Sequence, residues 1–341
     1  MRPCAVGTIN NQLYLMIIIT GAAGFIGSAI ACALNRRGYH NLILVDKFGE
    51  AEKWTNLLGL KFHQFVDRAF LFDELDSAPW AKDVEAVIHM GACADTTMRD
   101  ADFLNEWNVE YSRLLCEWSL DHNVRFVYAS SAAVYGDGAL GFSDDDKLTP
   151  QLKPLNAYGF SKWLFDCMVL DRGWQKQVAG LRFFNVFGPN EYHKGRMASV
   201  IFHAYPQVRD TDKVRLFESH RNDYGHGEQR RDFIHIEEVL DGVLFALDNK
   251  KVNGIFNLGT GTPHSFNQLA ENVCLALGKK ANIEYFPMPE DLRDRYQYHT
   301  AADMSKLQAA GFKSFPDKFA DYVQSYVRDY LNKGYLKLQD L

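Results

Sequence analysis

Tyr158 and Lys162 stand four residues apart, a spacing that puts both side chains on one face of a helix. A phenol with an ordinary pKa of about 10 is a poor base at neutral pH, and a neighbouring ammonium favours the phenolate. The pair therefore suggests proton transfer to or from a substrate oxygen, although the same spacing recurs by chance in many helices. Ser130 and Ser131 close the apolar run that begins at Val124. In an open parallel sheet ligands sit at that carboxyl edge, where a hydroxyl can hold the reacting oxygen beside the phenol. A second array, Thr20 to Gly27, reads TGAAGFIG. Its Gly21, Gly24 and Gly27 let backbone amides approach a pyrophosphate at the positive end of a helix. The spacing is G-x-x-G-x-x-G rather than G-x-G-x-x-G, and a plain tight connection is the bland alternative. Asp46 ends the next apolar run about twenty residues on, where a carboxylate accepts hydrogen bonds from an adenosine ribose and favours NAD. Lys47 and Lys53 follow at once, and either ammonium can hold the extra phosphate of NADP. These residues by themselves leave the two dinucleotides open.

Such groups need a frame, and short β-branched runs alternating with longer amphipathic stretches supply one. The pattern predicts an α/β chain with βαβ units around a doubly wound parallel sheet. Met16 to Thr20 is the expected first strand, Gly24 to Arg37 a helix with Phe25, Ile30 and Leu34 inward, and Leu42 to Asp46 the second strand. Val84 to Met90, Val124 to Ser130 and Val178 to Asn185 read as further strands. Helices are expected over Asp102 to Asp121 and from Tyr158 to about Asp171. Beyond Pro189 the pattern loosens, with two more strand-like runs, Asp232 to Ile236 and Gly254 to Leu258, expected to return to the main sheet. The expected organisation is an extension over residues 1–15, a dinucleotide-binding domain over 16–189 rejoined by 232–261, and a smaller interleaved α/β substrate-binding lobe over 190–231 and 262–341.

Composition narrows the classes. The 341 residues are 47% hydrophobic and 23% charged, the balance of a globular chain with a sizeable core. Net charge is −6, without a long run of either sign, so a nucleic-acid partner is not expected. The longest apolar run, Leu13 to Ile19, falls short of the roughly 18 residues of a membrane span. A glycine turn follows it instead of a small-residue cleavage site, so a cytoplasmic, membrane-free protein is expected. Six scattered cysteines and eleven histidines form neither a Cys-x-x-Cys pair nor a His-Glu-x-x-His group, so thiols are expected reduced and no metal is expected. The stretch His220 to Glu228 reads as a surface loop.

The glycine turn, the serine and the Tyr-x-x-x-Lys pair, in this order, resemble the extended short-chain dehydrogenase/reductase superfamily, with a Rossmann-type sheet. The segments MIIITGAAGFIGS, HMGACADTT, YASSAAVYG, LNAYGFSK, FNVFGPNEYHKGRMASV, RRDF and RYQ are similar to the ADP-L-glycero-D-manno-heptose 6-epimerase family. That resemblance implies an isomerase of lipopolysaccharide core precursor synthesis that inverts C6 of an ADP-heptose through a 6-keto intermediate, with NADP as cofactor and NAD less favoured. It implies Tyr158 as one acid/base, Lys162 as its helper on the nicotinamide ribose, Ser131 as the catalytic serine and Lys194 as the second base. Phe25, Ile26, Asp46, Lys47, Lys53, Arg68, Met90, Gly91, Ala92, Cys93, Ala94 and Val186 are implied along the dinucleotide, with the turn glycines, Lys162 and Lys194. Asn185, Arg196, His203, Phe217, Glu218, Ser219, His220, Arg231 and Tyr296 are implied around the ADP-sugar, with Ser131. Arg196 departs from a serine of some relatives, Trp107 replaces a polar residue expected near the cofactor, and the 221–230 stretch is longer than expected. A closed homo-oligomer, a pentamer, is implied as well.

Chemistry favours two bases. Inverting a carbon through a ketone requires hydride to leave one face and return to the other while the protein stays fixed, so the sugar must turn over and its oxygen leaves Tyr158. A second proton carrier on a glycine-flanked loop, Lys194, meets that need. Its alternative is a solvated surface lysine. Arg231 suits a diphosphate through its planar fork, or else pairs with Asp232. Asn185 can equally cap a strand end, and Tyr296 can be core. Competing functions are another nucleotide-sugar epimerase and a non-catalytic dinucleotide sensor. Ala132 and Ala133 stand against a 4,6-dehydratase, which needs an acid pair after the serine.

Overall fold

The computed structural model describes residues 15–293 and 296–341, so the expected extension falls outside the described residues except for Leu15. The first half delivers the alternation that the apolar runs demand. β1 (Met16–Thr20), α1 (Phe25–Arg36), β2 (Leu42–Asp46), β3 (Gln64–Asp67), α2 (Leu71–Ser77) and β4 (Val84–His89) follow one another. α3 (Ala101–Leu104) then passes through a π turn over Asn105–Glu110 into α4 (Tyr111–Asp121), and β5 (Arg125–Ser131), α5 (Ala157–Asp171) and β6 (Ala179–Phe183) complete the wound unit. Ile17 and Ile19 pack into one apolar cluster and Met16 and Ile18 into another, which is why the strand is apolar from Met16 to Ile19.

The second half contributes β7 (Asn185–Phe187), α6 (Val200–Thr211), β8 (Val214–Phe217), β9 (Arg230–Arg231), β10 (Phe233–His235), α7 (Ile236–Asp248) and β11 (Gly254–Leu258). β12 (His264–Ser265), α8 (Phe266–Ala276), β13 (Ile283–Phe286), α9 (Glu290–Arg293), α10 (Ser305–Ala309) and α11 (Phe319–Ser325) close the chain. The main sheet has seven parallel strands in the order β11-β6-β5-β4-β1-β2-β3. The winding reverses between β1 and β4, and a crevice opens there at the carboxyl ends of the strands.

Two expectations are corrected here. Of the two late strand-like runs, Gly254–Leu258 does join the main sheet as β11, but Phe233–His235 does not. It pairs with β7 in a separate two-stranded ribbon. The run Val178 to Asn185 likewise breaks at Phe184, whose amide takes the Leu258 carbonyl, after which Asn185 N–H bonds the Asp232 carbonyl and the chain changes partner. β11 ends at Leu258, so the backbone of residues 185–187 must find its hydrogen bonds elsewhere. A third apolar cluster, built on Phe187, Ile201, Tyr205, Leu216, Val273 and Tyr326, holds α6, α8, α11 and the β8/β13 ribbon together beside the sheet.

Candidate active site

The turn after β1 is shaped by its glycines. Gly21 has φ +65°, and a Cβ there would lie 2.8 Å from Gly91 Cα and N; a Cβ on Gly27 would lie 2.2 Å from the Gly21 carbonyl oxygen. The backbones after β1 and β4 therefore touch, and α1 starts with no side-chain cap on its first turn. This is a cradle for an anion. Asp46 is buried at the end of β2 and fully engaged: Oδ2 accepts from Ala23 N–H at 2.8 Å, and Oδ1 accepts from Lys47 N–H at 2.7 Å and from Lys53 Nζ at 2.6 Å. A cavity of about 570 Å³ runs along this edge, lined by the turn glycines, Phe25, Ile26, Lys47, Arg68 and the Met90–Ala94 segment. Arg68 lies flat on Trp107, its Cζ 3.6 Å from the ring centroid, and its buried Nε has no hydrogen-bond partner among the described residues. Glycine cradle, paired acid and unsatisfied guanidinium together fit the diphosphate and ribose end of a dinucleotide.

A second cavity of about 350 Å³ adjoins the first and contains Ser131, Tyr158, Lys162, Asn185, Val186 and Lys194. Phe25, Ile26, Met90, Ala92, Ala94 and Lys194 line both, so the two spaces meet at a common wall. Asn156 caps α5 by accepting from Gly159 N–H at 2.8 Å, and Gly159 lets the helix start press against the Ala133 carbonyl. That packing aims Tyr158 and Lys162 at the end of β5. The two serines divide their work: Ser130 donates to buried Asp166 at 2.9 Å, while Ser131, whose Oγ accepts from Ala133 N–H, interacts with the Tyr158 hydroxyl. Asp166 is in turn held by Arg182, an ion pair at 2.9 Å with both side chains fully buried, and by Tyr128.

The electrostatics correct one expectation. Lys162 does not lower the Tyr158 pKa in this structure. Its Nζ donates to the Ala129 carbonyl at 2.8 Å, and burial pulls the ammonium down to about 8, with Asp166 opposing. Burial pushes the Tyr158 phenol up, and the Ser131 hydroxyl draws it partly back. Desolvation outweighs the charge here because Lys162 is only 5% exposed and pays its own hydration penalty.

Lys194 is no solvated surface lysine. It is half-buried on a loop kinked at Gly195 (φ 52°), with its Nζ 5.4 Å above the Phe25 ring, and burial lowers its pKa while Glu191 raises it. Other expected residues are scattered. Arg231, Tyr296 and Phe217 form a cluster in which the Arg231 guanidinium lies 5.0 Å from the Tyr296 ring. Arg231 makes no ion pair with Asp232, whose carboxylate instead accepts from the backbone of Thr260, Gly261 and Ala302. Ser219 and His220 gather on the Tyr298 hydroxyl, beside a largely exposed 220–226 loop. The Arg231 guanidinium lies 5.8 Å from the ring of Phe266, a residue that lines the second cavity. Glu218 is half-buried, its amide bonded to the Phe286 carbonyl. Arg196, with its side chain 69% exposed and paired to Asp95, and His203, packed on Phe202, do not line either cavity. Sequence reasoning missed His193, Tyr111, Met197 and Phe233, which do line them. His193 sits next to a proposed base and was within reach; the others carry no chemical signature. Among the described residues no group of three or more His, Cys, Asp or Glu is placed to hold a metal, and no helix is long and apolar enough to cross a membrane.

With this geometry in place the comparisons with known proteins decide the family. The model of the NAD dependent epimerase/dehydratase family matches residues 17–259. The chain belongs to that family. An ADP-L-glycero-D-manno-heptose-6-epimerase of Nitratidesulfovibrio vulgaris (strain DP4) is 48% identical over 318 residues, 93% of this chain and 98% of the relative. One from Fusobacterium nucleatum is 42% identical over 329 residues, with 93% and 98% covered. Among solved structures, the Helicobacter pylori ADP-L-glycero-D-manno-heptose-6-epimerase superposes with a TM-score of 0.76 at 27% identity, covering 95% of this chain and 98% of that one. A family named for epimerases and dehydratases accounts for a phenol, a hydroxyl and two lysines around one small cavity.

Proposed function

We propose that this chain interconverts the C6 epimers of ADP-glycero-D-manno-heptose through a 6-keto sugar. The observation that carries the reading is that Tyr158, Ser131 and Lys194 line one cavity, which meets the glycine cradle at Lys194 itself. The relatives' names support the substrate. When bound, a nicotinamide dinucleotide supplies the hydride acceptor and donor. The protein does the rest. Tyr158 takes the proton of the C6 hydroxyl while Ser131 holds that oxygen, and Lys194 returns a proton to it once the sugar has turned over. In the reverse direction the two exchange roles. Lys162 holds the ribose.

NADP is the preferred dinucleotide in this reading. Both oxygens of Asp46 are already taken by two backbone amides and Lys53, which neutralises the charge that would repel a 2′-phosphate and leaves little acceptor capacity for a ribose. Arg68, with its unsatisfied Nε, supplies a further donor on the same wall. The third apolar cluster, which joins α6, α8 and α11, is the heart of the lobe that takes the sugar nucleotide, with Arg231 as the diphosphate ligand, while Ala302, Met304, Leu307 and Leu338 pack into the main core instead.

The experiment is turnover of ADP-D-glycero-D-manno-heptose by the purified protein, read by chromatography of the two epimers, alongside Tyr158→Phe and Lys194→Ala. Each variant is expected to lose about 10²-fold or more in kcat. Retained dinucleotide without turnover of any nucleotide sugar overturns the reading in favour of a sensor.

A further inference from the structure

The loop that carries Lys194 begins at Gly188 and ends at Ser199, and both ends are fastened to one side chain. Glu191 is fully buried. Its Oε1 accepts from Gly188 N–H at 3.3 Å, from Ser199 Oγ at 2.7 Å and from the Tyr326 hydroxyl at 3.0 Å, while Oε2 accepts from Ser199 N–H at 2.5 Å. Its own carbonyl accepts from Lys194 N–H at 2.9 Å. A carboxylate removed from water is tolerated only when it is densely hydrogen-bonded, and four donors around two oxygens meet that demand. Ser199 is also the cap of α6, since its Oγ accepts from Phe202 N–H at 3.2 Å, and it lines the cavity of Tyr158. Tyr326 is fully buried in the lobe's apolar cluster. One side chain therefore ties together the two ends of the loop, the start of α6 and the segment after α11.

We propose that Glu191 is a positioning residue for the epimerisation. It closes the 188–199 loop so that the Lys194 ammonium stays on the wall facing Tyr158, and it places a buried carboxylate on the same loop as that ammonium. The inference rests on the reading of Lys194 as the second base. The surroundings support it. From α1, Lys194 meets the Phe25 ring, which carries no charge. On its own loop His193 is flanked by Lys53 and Asp46 and held neutral, with burial as the main cause, its pKa pulled down to about 4. On the lobe side Glu191 faces the phenols of Tyr326 and Tyr192, both pushed upward by burial and by Glu191 itself. Burial lowers the Lys194 pKa and Glu191 raises it in opposition, while burial raises the Glu191 carboxyl and Lys194 and Ser199 draw it back.

The test is the pH profile of kcat for the cofactor-loaded protein. Glu191→Gln keeps the side-chain shape and removes the charge. Its basic limb, on which protonated Lys194 is lost, is expected to move to lower pH by about one unit, the effect of an opposite charge at close range. A folded, dinucleotide-retaining Glu191→Gln with kcat and limb unchanged overturns the proposal. Should Glu191→Gln fail to fold, Glu191→Asp decides. The shorter carboxylate keeps the charge but cannot reach Ser199 and Tyr326 together, so kcat is expected to fall about tenfold or more while the limb stays in place. Wild-type kcat in that variant overturns the positioning role, and a shifted limb overturns the electrostatic one. Lys194→Ala separates the two levels. Normal turnover there sinks the second-base reading, whereas an inactive Lys194→Ala beside a wild-type-like Glu191→Gln sinks this inference alone.

Discussion

Replacing Lys53 by Met should shift dinucleotide selectivity toward NAD rather than simply weaken binding. In the wild-type chain Lys53 Nζ lies 2.6 Å from Asp46 Oδ1, with side-chain exposures of 21% and 8%, so the pair is shielded but not sealed. The substitution leaves the Asp46 carboxylate with its two backbone donors, Ala23 N–H and Lys47 N–H, but without the Lys53 ammonium. Two unit charges about 6 Å apart interact by about 3 kcal/mol at an effective dielectric of about 20. Loss of the ammonium and exposure of the carboxylate both act against a 2′-phosphate, and solvent at the cavity mouth discounts the sum. A loss of about 2–3 kcal/mol remains, or roughly 30- to 150-fold in NADP affinity. NAD has no charge at that position and gains a carboxylate free to accept from its ribose, so its affinity should hold within about threefold or improve. Isothermal titration of the dinucleotide-free protein with each cofactor measures both numbers. An equal fall for NAD and NADP would refute the reasoning, because it would make Lys53 a structural partner of Asp46 and nothing more.

Other consequences are as direct. Arg182→Met should destabilise the fold by about 3–5 kcal/mol in a denaturant titration, since it strands the fully buried Asp166 that Tyr128 and Ser130 share. Gly21→Ala should cost about 2–4 kcal/mol and abolish dinucleotide retention, because its Cβ meets the Gly91 backbone and its φ is left-handed. Lys162 is held at about 8 by burial, below its ordinary value of 10.5. Between those pH values the unfolded chain binds more protons than the native one, so the Lys162 contribution to stability rises as pH rises through the window. The stability advantage of Lys162→Met over the wild type in the dinucleotide-free protein should accordingly shrink between pH 7 and roughly pH 10; a constant difference would contradict the assignment.

Legibility in the sequence followed locality. β1, β2, β4 and β5 stand out because a strand buried on both faces reads as a near-continuous apolar run, and the Asp102 to Asp121 helix kept its stripe. Its π turn left no such mark, yet it is where Asn108 comes to bridge Cys93 and Ser161. β3 was overlooked since Gln64 and Asp67 hide an edge strand of four residues. The ribbons β7/β10 and β8/β13 were unreadable for a different reason: their partners lie tens of residues apart and their strands have three or four residues, so only tertiary packing selects them. The same holds at the site. Tyr158, Lys162 and the glycine turn announce themselves by spacing, but nothing local says that Arg182 neutralises Asp166, or that Lys53 turns back onto Asp46 instead of reaching into solvent.

Lys194 borders two compartments at once, and that has a thermodynamic corollary. In the proposed reading, whichever ligand arrives first strips water from its ammonium, so the second meets a wall already dry. Reciprocity then requires the dinucleotide to tighten the sugar nucleotide by the same factor by which the sugar nucleotide tightens the dinucleotide. A cycle that regenerates its hydride carrier at every turn has no use for releasing it, and mutual reinforcement of this kind keeps the carrier aboard between one sugar and the next.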